Sequence, residues 1–97
     1  MSEIRLDARG WRDRDDIFAA LLPALRAPDW AGPNLDALFD CLSGGILGLS
    51  PPLHVRVDHA DEAPEAVRAF LARVETVFHD AAREFGHDVR FVWRRDG

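Results

Sequence analysis

Asp36 and Asp40 stand four residues apart, and two carboxylates at that spacing can do three kinds of chemistry. They can work as an acid and a base on a glycosidic bond, join a histidine around a metal ion, or present negative charge to a basic partner. Acid–base work needs surroundings that drive the two pKa values apart, and a surface face without apolar walls supplies none. Metal binding needs ligands at close spacing, whereas His54, His59, His79 and His87 are irregularly placed and form no HxxxH or HxxEH pattern. Cys41 follows Asp40 inside the same run, away from a helix N-terminus and with no basic neighbour to lower its pKa. It reads as a buried or half-buried thiol and not as a nucleophile. Gly44, Gly45 and Gly48 fit neither GxGxxG nor Walker spacing, so a phosphate-cradling loop is not expected. The anionic surface is left as the chemistry to explain, with no cofactor, no metal and no catalytic residue expected.

The charge distribution supports that reading. The 97 residues carry 17 acidic side chains against 12 arginines and no lysine, a net charge of -5. A protein that works by neutralising many phosphates is disfavoured, so direct nucleic-acid binding is not expected. No arginine lies between Arg26 and Arg56, while Asp29, Asp36 and Asp40 do, and Asp58, Asp61, Glu62 and Glu65 follow. Such a one-sign field steers a basic partner, although a solvated acidic surface that keeps a protein soluble is the commoner cause. With 47% hydrophobic and 30% charged residues the chain has material for one core, which predicts a single domain over residues 1–97, monomeric when free. The longest apolar stretches fall far short of the roughly 20 residues that span a bilayer. Ser2 and Glu3 follow Met1 in place of a basic leader, and the lone cysteine suits a reducing compartment, so a cytoplasmic location is expected.

The elements that must position the two aspartates follow from periodicity. Glu3 to Asp7 alternates as a half-buried strand, with Ile4 and Leu6 on one side. Asp13 three residues before Asp16 starts a first helix, Arg14 to Leu25, with Ile17, Phe18, Leu21, Leu22 and Leu25 at helical spacing. Pro23 inside it calls for either a bend or an early end. Asn34 offers a cap for a second helix, Leu35 to Ser43, stopped by Gly44 and Gly45. On this helix Leu35, Leu38 and Leu42 face inward with Phe39 at their edge. Asp36, Asp40 and Ser43 project together from another side. As an i, i+4 like-charge pair, Asp36 and Asp40 cost the helix a few tenths of a kcal/mol. Asp36 regains some of this from the macrodipole in the first turn. Leu53 to Val57 alternates as a second strand. From Pro64 an apolar face runs nearly to Gly86 and accommodates one long helix or two joined near Phe70. Val89, Phe91 and Trp93 alternate as a last strand. The order β-α-α-β-α-β predicts an α/β fold with a small three-stranded parallel sheet and three to four helices. Because His54, Arg56, Arg90 and Arg94 oppose the apolar positions, one sheet face is expected to be partly wet. Trp11 and Trp93 read as core tryptophans, Trp30 and Phe39 as exposed aromatics.

The run from Pro28 to Gly44, PDWAGPNLDALFDCLSG, resembles the central motif of the barstar family, inhibitors of barnase-type ribonucleases. The resemblance implies a barstar-like fold and a protein that plugs the active site of a small, basic, secreted-type endoribonuclease in a 1:1 complex. It also implies roles for individual residues. Asp40 would occupy the site of the substrate phosphate, Asp36 would be the other helical acid, and Trp30 would lie over the enzyme's site. Gly32, Asn34, Ser43 and Gly44 belong to the contact loop and helix ends, and Phe39 replaces a tryptophan. Asp80 would supply a further acid from the last helix. Ala31 and Gly45 replace aromatics, and the loop from Gly45 to Pro51 is longer, so the target need not be barnase itself. The alternative is a barstar-like binding or immunity module for a different basic protein.

Overall fold

Three strands, laid side by side in chain order, organise the molecule. The computed structural model describes residues 2–27, 32–42 and 52–93. The elements are β1 (Ser2–Asp7), α1 (Arg14–Ala24), α2 (Leu35–Leu42), β2 (Leu53–Asp58), a 3₁₀ turn (Ala60–Glu62), α3 (Glu65–Phe85) and β3 (Val89–Val92). The sheet order is β1-β2-β3, with both pairs parallel. Parallel neighbours require crossover connections, and crossovers are right-handed almost without exception. Two right-handed steps in the same direction place every helix on one face. The pleat agrees: Leu53, Val55, Val57, Val89 and Phe91 are buried, whereas Glu3, Arg5, Asp7, Arg56, Arg90 and Val92 are exposed. The wet face expected from the alternation is therefore present.

Ion pairs cover that open face. Asp58 lies between Arg5 (Nε–Oδ2 3.4 Å) and Arg56 (Nε–Oδ1 3.2 Å), which are register partners on β1 and β2 and would otherwise repel. Arg90 Nε meets Asp88 Oδ1 at 3.0 Å. At the end of β1, hydrogen bonds from Arg9 pull the Asp7 carboxyl down to about 2. Exposed pairs of this kind are screened by solvent and contribute little, so the sheet is held from its other side.

There the three helices close one core. α1 starts at Asp13, whose side chain accepts the N–H groups of Asp15 and Asp16, while Asp16 accepts the N–H of Arg12 at 2.8 Å. Ile17, Phe18 and Leu21 are its buried face. The two outcomes open for Pro23 resolve to an end: the helix stops one residue later. The Leu22 and Pro23 carbonyls then accept from Ala27 and Arg26, each at 3.0 Å. That wrap puts Arg26 at a φ of 56°, a left-handed position usually given to glycine. α3 is one helix, with no glycine or proline to break it between Glu65 and Phe85. Val67, Leu71, Val74, Phe78 and Ala81 form its buried stripe, and Gly86, at a φ of 69°, ends it. Trp11 is buried, and Trp93 is half-buried with its Nε1–H donating to Glu75 at 2.9 Å. The loop, helix stop and strand end drawn over residues 28–31, 43–51 and 94–97 lie outside the described residues.

The strained cap gives a test of sign. Arg26→Gly removes the Cβ conflict of a left-handed residue and is expected to raise stability by about 0.5–1 kcal/mol in urea unfolding. A loss of stability would show that the Arg26 side chain contributes more than its backbone costs.

Candidate functional site

The acidic helix is fixed at its first residue. Asn34 Oδ1 accepts the Ala37 N–H at 2.7 Å, and the Asn34 carbonyl accepts the Leu38 N–H at 3.1 Å. Gly32 brings the chain close enough for this: its carbonyl accepts the Asn34 N–H at 2.9 Å, and a Cβ built on Gly32 would meet Asn34 Nδ2 at 3.0 Å. The expected cap is thus present, and a side chain at position 32 would crowd it. An eight-residue helix is marginal by itself, so its stability must come from packing. Leu38, Cys41 and Leu42 supply it from the buried side.

Asp36 and Asp40 project from the exposed side, as the spacing requires. Phe39 departs from expectation. It is half-buried, packed on the Phe85 ring of α3 at a centroid distance of 5.2 Å and an interplanar angle of 48°. The cause is α2 lying against α3, which turns the edge of its apolar face onto the other helix. Cys41 is completely buried directly after Asp40; burial pushes its thiol pKa up and the Asp40 charge adds to the rise. A thiol held protonated and out of reach is no nucleophile. Asp80 is exposed on α3, the helix against which α2 packs. Trp30, Ser43 and Gly44 lie outside the described residues.

Two functional candidates escaped sequence reasoning. Arg14, the first residue of α1, and Arg73, in the middle of α3, line a cleft of about 280 Å³ together with Asn34 and Asp36. Arg73 lies over the Phe70 ring, 5.8 Å from its centroid. Both arginines are exposed, and among the described residues no ion pair joins either of them to Asp36. The arginine-free stretch of sequence is therefore not an arginine-free surface. No local pattern signals this, because the three residues come from three separate helices.

Among the described residues no group of three or more His, Cys, Asp or Glu side chains could hold a metal ion, and no helix is long and apolar enough to cross a membrane. What the geometry offers is a rigid, capped helix presenting two carboxylates. Its dependence on the cap can be measured: Asn34→Ala is expected to lower stability by about 1 kcal/mol in urea, while Asn34→Asp, which also caps, retains it. An unchanged midpoint for Asn34→Ala would mean that packing alone fixes the start of α2.

Comparison with known proteins agrees with this geometry. A search of curated proteins returns no match. The family model described as Barstar (barnase inhibitor) matches residues 1–94, nearly the whole chain, and its fold of parallel sheet and helices is the one found here. By the extent of that match, from β1 through β3, the chain belongs to the barstar (barnase inhibitor) family.

Proposed function

We propose that this protein is an intracellular inhibitor, not an enzyme, which blocks the active site of a small basic endoribonuclease of the barnase type in a 1:1 complex. One observation carries the reading. In a chain of the barstar family, Asp36 and Asp40 are exposed on a helix whose other side is locked into the core and whose first turn is capped. A ribonuclease active site gathers cationic side chains to hold phosphate, and fixed carboxylates satisfy those cations as the substrate's phosphates do. Because the helix is preorganised, little conformational freedom is lost on docking.

Within that reading Asp40 replaces a substrate phosphate and Asp36 supports it. Trp30, Gly32, Asn34, Ser43 and Gly44 extend the contact along the loop and the helix ends. Asp80 adds a further acid from α3. Phe39 contributes the ring face left open beside Phe85. The net charge of -5 speeds encounter with a basic enzyme.

Inhibition titrations against a panel of barnase-type ribonucleases test this. RNA cleavage is expected to be lost at one equivalent of protein, with an association rate that falls as salt is added. Asp40→Ala is expected to weaken inhibition by roughly a hundredfold or more, since it strands buried cations in the enzyme. As an exposed substitution it should shift stability by no more than about 0.5 kcal/mol. If no enzyme of the panel is inhibited, the ribonuclease assignment fails and a different basic partner takes its place.

A further inference from the structure

An inhibitor of a cationic active site gains nothing from arginines beside its acids, yet Arg14 and Arg73 line the same cleft as Asp36. Neither is explained by the fold. Arg14 is the first residue of α1, the end of a helix where a positive charge is disfavoured by the macrodipole. Among the described residues it makes no ion pair there, although Asp13, Asp15 and Asp16 surround it in sequence, their contacts going to backbone N–H groups in the case of Asp13 and Asp16. Arg73 is exposed on α3 and held over Phe70, which fixes its position without neutralising it. Asp36 is likewise unpaired among the described residues. Three charges of mixed sign thus share one cleft of about 280 Å³ without satisfying one another.

We infer that Arg14 and Arg73 are specificity-determining residues: they select a partner that carries a carboxylate at the rim of its basic cleft, and they repel one that is basic throughout. This rests on the inhibitor reading above. The two arginines break the negative charge of the docking face where α1 and α3 approach the start of α2, beside Asp36, while the face stays negative toward Asp40. Arg73 and Asp80 lie two turns apart on one side of α3, roughly 10 Å along its axis, so the contrast in charge continues on that helix. A surface polarised in this way fixes the register of docking as well as its strength. It also discriminates by repulsion, because a wrong partner meets uncompensated like charge while the right one gains an ion pair.

The experiment is a titration of the same ribonuclease panel with the wild-type protein, an Arg14→Glu/Arg73→Glu double variant, an Arg14→Lys/Arg73→Lys double variant and Asp40→Ala. For the enzyme that the wild type inhibits best, charge reversal is expected to weaken inhibition at low salt by about tenfold or more, chiefly through slower association. The lysine variant should retain most of the affinity. Enzymes that are basic all around the cleft should be inhibited better by the reversed variant than by the wild type. Replacing the rim carboxylate of the best target with lysine should restore its inhibition by the reversed variant, which a merely structural role would not produce. Urea unfolding of each variant confirms that the fold is intact; should the glutamate pair not fold, an Arg14→Gln/Arg73→Gln pair serves as the test, expected to weaken inhibition of the best target where the lysine pair does not, and inhibition by the glutamine pair equal to that by the wild type overturns the inference. Equal inhibition of every enzyme by wild type and reversed variant, with Asp40→Ala still impaired, overturns this inference alone. No inhibition by the wild type overturns the inhibitor reading and this inference with it.

Discussion

All the crossover helices share one face of the sheet, and most of the molecule follows from that constraint. With the strands taken in chain order, both right-handed connections return on the same side, and three helices must divide the cover of one small apolar surface. α3 covers most of it along its 21 residues. α2, with eight residues, fills the gap that remains beside it and is held by Leu38, Cys41, Leu42 and the edge contact of Phe39. Once those side chains point inward, the helical repeat leaves Asp36 and Asp40 no direction but outward. The far face of the sheet, without helices, is covered by a layer of arginine and aspartate pairs in place of a second apolar layer.

The acidic helix is also a case of local cost and distant compensation. Two aspartates one turn apart repel, and an isolated helix of this length would not persist in water. The cap at Asn34 and the buried leucines offset both penalties, so the two exposed carboxylates are held on one helix. Held charge of this kind is available to a cationic partner without the loss of freedom that ordering a loop would bring.

Periodicity made most of the fold legible. Alternation fixed the strand faces at Leu53, Val55 and Val57, and helical spacing fixed those of α1 and α3, because burial on one face is a local property of the chain. Asn34 as a cap and the outward placement of Asp36 and Asp40 were readable for the same reason. What sequence could not give depends on partners far along the chain. Phe39 was expected to be exposed, since nothing near it indicates that Phe85 will lie against it. Nothing in the sequence marks Arg14 or Arg73, since only the packing of α1 and α3 brings them to Asp36. Pro23 and the single span of α3 turn on finer balances. One proline in a final turn is tolerated where the chain can wrap around Arg26, and the half-buried Phe70, at the edge of the buried stripe, leaves the helix unbroken.

The contact between Phe39 and Phe85 has a kinetic consequence. Residues of the first half of the chain are held by residues close to its end, and β2, the central strand, pairs on one side with the first strand made and on the other with the last. Non-local pairing of this kind folds slowly, because distant segments must meet before either gains from the encounter. A nascent chain that has exposed only α1 and α2 has the acidic segment but no platform to brace it. The braced form of the acidic helix therefore arises after synthesis of α3 and β3, as a property of the folded unit and not of its motif.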